Sequence, residues 1–163
     1  MPLPPELTPK TILLVESEPL LLRFLRTILE TAGFTVLSAA TAEAAIRVEH
    51  DFAGNIDLLL TCFSMAGSSG AELTQELEWR RPRLRAMLMS SYPAAQTLAL
   101  THGWYFAEKP FLPSDLLGKI KNALGLDVAA GAVARPLEQR RTSGGTKVSG
   151  TAQIGRASCR ERV

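Results

Sequence analysis

Residues 57–70 read DLLLTCFSMAGSSG. Leu58, Leu59 and Leu60 run without polar interruption, Thr61 and Cys62 follow, and then small residues with Gly67 and Gly70 take over. An apolar run that gives way to a glycine-rich stretch is the pattern of a strand buried on both faces and ending in a loop. Chains that alternate such strands with helices keep their chemistry at the strands' carboxyl ends. Cys62 stands at that end, so it is either the reacting group or the residue that has taken a reacting group's place.

Working outward, the same alternation fills most of the chain. TILLV (11–15) is a short buried strand, and Pro19 opens a helical pattern running to about Ala32. Leu21, Phe24, Leu25, Ile28 and Leu29 form its apolar face, and Gly33 stands where a helix-ending glycine belongs. FTVLSA (34–39) is a second strand, and Thr41 is the N-cap of a helix carrying Ala42, Ala45, Ile46 and Val48. IDLLLT (56–61), LRAMLMS (84–90) and WYFAE (104–108) are three further strands. Helical segments follow each of them: one after GSSG, a weak one over 93–101, and a last one opened by Ser114 or Asp115 and running to about Leu124, with Gly125 behind it. Apolar strands separated by helices predict an α/β fold, a parallel sheet covered on both faces and doubly wound through right-handed crossovers.

Composition narrows the class. The 163 residues are 46% hydrophobic, enough for one core, and no apolar run approaches bilayer length. MPLPPELTP (1–9) carries four prolines and reads as an extended leader, without the charged start and apolar stretch of a signal peptide. Two cysteines make no disulfide framework, so a reducing, cytoplasmic setting is expected. Residues 126–153 are poor in large apolar side chains, read as a disordered tail, and leave no room for an output domain such as a helix-turn-helix. The last ten residues, IGRASCRERV (154–163), back-translate as ATC GGA AGA GCG TCG TGT AGG GAA AGA GTG, a string resembling a sequencing-adapter read. They are read as an artefact and set aside with Cys159. Removing their three arginines and one glutamate from the 18 basic and 16 acidic residues leaves 15 of each, so the net charge of +2 carries no message.

Four groups collect at strand carboxyl ends: Glu16-Ser17-Glu18 after the first strand, Cys62 at the third, Ser90 after the fourth and Lys109 after the fifth. Through VESEP (15–19), LLLTCFSMAGSSGAEL (58–73), LMSSY (88–92) and EKPF (108–111), the chain resembles the receiver domain of two-component response regulators over residues 10–125. The resemblance implies a flavodoxin-like (βα)5 fold with strand order 2-1-3-4-5. It also implies a chemistry. An aspartate ending the third strand takes a phosphoryl group from a partner kinase's histidine, with Mg²⁺ held by that aspartate and an acidic pair after the first strand. A lysine after the fifth strand holds the phosphoryl oxygens. A Ser or Thr after the fourth moves to bond them, and an aromatic on the fifth follows.

Carried over residue by residue, that pattern is incomplete. Glu16 fits the first acidic position, but Ser17 stands where the family has an aspartate that holds Mg²⁺, and Cys62 stands at the phosphoacceptor itself. Ala66 replaces a usual proline, while Gly67 and Gly70 fit. Ser90, Phe106 and Lys109 match the switch hydroxyl, the switch aromatic and the phosphoryl-contacting lysine. The interval from Ser90 to Lys109 is short by about three residues, most of a helical turn, which leaves the fourth helix in question. Asp57, five residues before Cys62, falls at the opposite end of the sheet and is assigned a structural role.

A thiolate is a soft ligand and Mg²⁺ a hard cation, so Cys62 and Ser17 together predict loss of Mg²⁺-assisted phosphorylation. No cofactor is expected, with Glu16 the remaining carboxylate of the Mg²⁺ site, and Lys109 is expected to turn to Glu16. The expected function is a receiver-like protein of phosphorelay signalling that is not an enzyme. It would bind a histidine kinase or another signalling protein, with neither nucleic acid nor membrane as partner. The alternative is a redox sensor or thiol enzyme using Cys62, its thiolate favoured by Lys109. Against it stands the inert reading, a small residue filling a vacated pocket. The run Arg80-Arg81-Pro82-Arg83-Leu84-Arg85 is read as a solvated helix end and turn, and His50 and His102 support no metal or acid–base role.

Overall fold

The computed structural model describes residues 8–126. Outside them lie the expected leader except its last two residues, the tail except Leu126, and the decapeptide 154–163 with Cys159.

The elements run β1 (Thr11–Val15), α1 (Pro19–Thr31), β2 (Thr35–Ala39), α2 (Ala42–Asp51), β3 (Leu58–Cys62), a small antiparallel pair β4 (Ser64–Met65) and β5 (Ser68–Ser69), α3 (Gly70–Arg80), β6 (Arg85–Ser90), α4 (Pro93–His102), β7 (Tyr105–Glu108) and α5 (Pro113–Ala123). The main sheet is parallel, in the order β2-β1-β3-β6-β7. Counting only its own five strands along the chain, that is the expected doubly wound order 2-1-3-4-5.

Successive strand residues point to opposite faces, and here both faces are dry. Ile12, Leu14, Leu58, Leu60, Met87 and Met89 pack on one side with Leu25 and Leu29 of α1 and Leu116 and Ile120 of α5. Leu13, Val15, Leu59, Ala86 and Leu88 pack on the other with Ala45 of α2, Leu73 and Leu77 of α3 and Ala99 of α4. This two-sided burial is why the strands read as continuous apolar runs rather than alternating ones.

Caps explain most helix boundaries. Glu18 caps α1 by accepting the N–H groups of Leu20 at 3.0 Å and Leu21 at 3.3 Å, with Pro19 in the first turn. Thr41 caps α2 through Ala44, as its residue type predicts, and Ser69 with Glu72 forms a capping box on α3. Neither Ser114 nor Asp115 opens α5: the helix starts at Pro113, whose ring presets the first turn, and no side chain caps it. The fourth helix, in question from the short interval, forms over ten residues and leaves only Ser91 and Tyr92 between β6 and α4.

Two other readings change. Phe24 is not part of a buried stripe; it is 52% exposed, whereas Leu25 and Leu29 are buried. The basic run is not simply solvated either. Arg81 Nε lies 2.7 Å from Glu49 Oε1 and Arg80 Nη1 3.4 Å from Glu49 Oε2, and Arg81 also donates to the Phe52 and Gly54 carbonyls. These contacts join the ends of α2 and α3 across the buried Glu49 carboxylate. Asp57 accepts the Thr11 N–H at 2.8 Å and Asn55 Nδ2 at 2.7 Å, tying the amino ends of β1 and β3.

Candidate functional site

The carboxyl ends of β1, β3, β6 and β7 bring the sequence-nominated residues to one end of the sheet. Glu16 follows β1 and is 2% exposed, its backbone N–H donating to the Ala39 carbonyl at 3.1 Å. Its side chain is fully engaged: Oε2 lies 2.9 Å from Lys109 Nζ, and Oε1 accepts the Glu18 N–H at 3.1 Å. Lys109 reaches this carboxylate from the end of β7, where the Lys109–Pro110 peptide is cis. A carboxylate this far from water requires such a partner, because desolvation otherwise penalises its charge.

Cys62 closes β3, paired in register with Met89 of β6, and is 3% exposed. Its Sγ donates to the Ser64 carbonyl at 3.5 Å. Burial pushes the thiol up from its ordinary value, and the neighbouring Glu16 charge adds to that. Hydrogen bonds from Ser17 and the Lys109 charge pull the other way without reversing it. The thiol is therefore neutral near pH 7, opposite to the thiolate a redox role needs.

The loop after Cys62 turns back on the strand through β4 and β5, with Gly67 at φ 82° in the turn. The Gly70 N–H donates to the Phe63 carbonyl at 2.7 Å, and a Cβ at Gly70 would run into the Cys62 carbonyl. Close backbone approach therefore demands glycine at 70, a reason that sequence pattern alone did not supply. Ala66 lies exposed beside Gly67.

Ser90, 4% exposed, does not turn its hydroxyl to the pocket's ion pair: its Oγ accepts the Tyr92 N–H at 3.0 Å. Phe106 is half-buried against the cluster that holds Leu88 and Ala99, and its carbonyl accepts Lys119 Nζ at 3.4 Å. Ser17 is exposed and contributes a hydroxyl at this end of the sheet. Among the described residues, no three His, Cys, Asp or Glu side chains gather as a ligand set. His50 lies beside Asp51 on the exposed end of α2, and His102 stacks on Trp104 with centroids 4.4 Å apart.

One feature was missed from sequence. A pocket of about 360 Å³ opens beside Lys109, lined by Leu21, Phe24, Ser91, Lys109, Pro110 and Phe111. The signal lay in Phe24, which periodicity consigned to the core, and in Phe111 of EKPF (108–111).

The response regulator receiver domain family matches residues 12–121. The chain is 27% identical over 117 residues to the sensor kinase CckA of Brucella abortus (strain 2308), covering 70% of this chain and 12% of that protein. It thus spans about one-eighth of that curated relative's length. Among solved structures, it is similar to a response regulator receiver domain protein (CheY-like) from Methanospirillum hungatei JF-1, with 28% identity, TM-score 0.66, and coverage of 72% of this chain and 95% of that one. It is also similar to the receiver domain of the hybrid histidine kinase CckA, with 28% identity, TM-score 0.60, and coverage of 70% and 98%. No helix among the described residues is long and apolar enough to cross a membrane.

Proposed function

The chain belongs to the response regulator receiver domain family, and from that premise we propose that it is a receiver whose phosphoacceptor site is degenerate and which signals by binding protein partners. The observation that carries this reading is the Glu16–Lys109 pair at 2.9 Å, beside a buried Cys62. The lysine that would meet phosphoryl oxygens neutralises a carboxylate instead, and the acceptor position offers a thiol.

Receiver domains use Mg²⁺, and the donor set here does not suit it. A hard cation takes several oxygen ligands. This pocket supplies one carboxylate already shared between Lys109 and a backbone N–H, an uncharged Ser17 hydroxyl and a soft sulfur. No step through Mg²⁺ follows. With fewer carboxylates in the pocket, the like-charge repulsion that a metal would relieve is reduced, which supports a domain stable without one. The rival reading of Cys62 as a redox thiol or a thiol enzyme's nucleophile loses its main support, because burial disfavours the thiolate.

Similarity to the receiver of a sensor kinase supports a histidine kinase or another phosphorelay protein as the partner, and a cytoplasmic site of action. The test is incubation of the full chain with acetyl phosphate and Mg²⁺, followed by intact mass measurement. The expected spectrum holds only the unmodified protein. A stoichiometric phosphoryl adduct that disappears in Cys62→Ala would overturn the proposal.

A further inference from the structure

Trp79 is 84% exposed, the most exposed large apolar side chain among the described residues. An indole in water leaves a large apolar area uncovered, and such side chains are the usual anchors of protein interfaces. α3 buries Ala71, Leu73, Thr74 and Leu77. At about 100° per residue, Trp79 falls on the opposite side of the helix, in one stripe with exposed Glu72, Gln75 and Glu76. Arg83 follows in the turn that the Leu84 N–H closes on the Arg81 carbonyl at 2.9 Å. Arg80 and Arg81 are held by Glu49, and Arg80 by Glu76 as well. Arg83 is exposed and has no ion pair among the described residues. Glu72 holds no cation, and its side chain accepts only the Ser69 N–H, at 3.4 Å. The stripe is therefore acidic at the helix start, aromatic toward its end and basic in the turn just beyond.

We propose that this stripe is a self-association surface, on which a second copy of the chain packs its own α3 antiparallel about a two-fold axis. The order of the charges selects that occupant. Glu72 and Arg83 lie equally far along the chain from a point between Leu77 and Glu78. A two-fold at that point sets Glu72 of each copy opposite Arg83 of the other. Trp79, about 2 Å along the helix from the same point, then lies against Gln75 and Glu76 of the other copy, and their methylene stems cover the ring. Antiparallel helices also bring opposite ends of their dipoles together. A foreign acidic or basic surface would satisfy one end of the stripe and leave the other unpaired. An isologous pair satisfies both and closes as a dimer. One helix face buries less than the roughly 1,200 Å² of a standard interface, so the dimer is weak, with a Kd on the order of 100 µM. This goes beyond the reading of a degenerate pocket and holds whether or not Cys62 takes up phosphate.

Sedimentation equilibrium of the full chain from about 10 to 500 µM is expected to show mostly monomer at the low end and mostly dimer at the high end. Trp79→Gln should raise Kd about tenfold or more, because it removes the central anchor. Arg83→Glu should raise it about fivefold or more, because each end of the stripe then sets like charges together. Adding Glu72→Lys to Arg83→Glu exchanges the charges and is expected to bind about threefold or more tighter than Arg83→Glu alone. All three positions are exposed, and thermal melting checks that each variant is folded. Glu72→Lys gives up half of the capping box. If the exchanged variant melts early, Glu72→Gln, which keeps the box, takes its place as a single change expected to raise Kd about threefold. A monomer at every concentration overturns the proposal and leaves Trp79 to a different protein. Unchanged association in Trp79→Gln overturns it too. An exchanged variant no tighter than Arg83→Glu, or a Glu72→Gln equal to wild type, overturns the antiparallel two-fold.

Discussion

Replacing Lys109 by methionine tests the pocket's electrostatics most directly, because it removes the cation and keeps the aliphatic stem. The Glu16 side chain is 3% exposed and loses its one cationic partner among the described residues, while its Oε1 bond to the Glu18 N–H remains. Breaking a fully buried pair from one side costs about 3–5 kcal/mol. The Lys109 side chain is 27% exposed, so water can reach the vacated position, and we place the loss at about 2–3 kcal/mol. In Glu16→Gln the orphaned group is a lysine that water already reaches, and the amide oxygen still accepts from Glu18, so the loss is about 1 kcal/mol. The double variant should lose less than the two single losses combined, with a coupling of about 1–2 kcal/mol. Urea denaturation at pH 7 with a common m-value measures all four proteins. For a domain of this size, 1 kcal/mol moves Tm by about 3–6 °C, so calorimetry checks the ranking. If Glu16→Gln costs as much as Lys109→Met, or if Lys109→Met lies within about 0.5 kcal/mol of wild type, the pair does not neutralise a buried charge and the reasoning fails.

Four further outcomes are expected. Gly70→Ala forces the loop off the Cys62 carbonyl and should cost about 1–3 kcal/mol by urea denaturation, and a neutral result would remove the close-approach argument. Because the Cys62 thiol is raised in the folded state, folded protein binds more protons than unfolded protein as pH rises through the ordinary thiol range. Its contribution to stability is complete below that range and is lost above it, so denaturation midpoints should fall with pH in wild type and less in Cys62→Ala. Iodoacetamide labelling of Cys62, resolved by peptide mass spectrometry, should likewise be slow at pH 7; fast labelling there would revive the redox reading. Arg81→Ala should cost about 2–4 kcal/mol, since it takes the 2.7 Å partner from buried Glu49, and Arg80→Ala only about 0.5–1 kcal/mol. Equal losses would show that Glu49 does not depend on the shorter contact.

The amino-acid sequence by itself determined the architecture, since five apolar runs spaced by helical segments leave no fold cheaper than a parallel sheet covered on both sides. It also placed Glu16, Cys62, Ser90 and Lys109 at one end of that sheet, because the carboxyl end of each strand follows from chain direction alone. What it did not determine is which partner each polar atom takes. Lys109 was legible as a partner for Glu16, because Ser at 17 and Cys at 62 leave one carboxylate within its reach. Ser90 was not legible as a cap: a hydroxyl at a strand end reads as free until the two-residue connection brings the Tyr92 N–H onto it. Arg81 read as solvent-exposed because its partner, Glu49, is 32 residues away in sequence. Phe24 read as core because periodicity identifies a helix face but not where the covering layer stops. Tertiary structure decided these points for one physical reason. Burial and hydrogen bonding depend on separations across the fold, and local pattern records only neighbours along the chain.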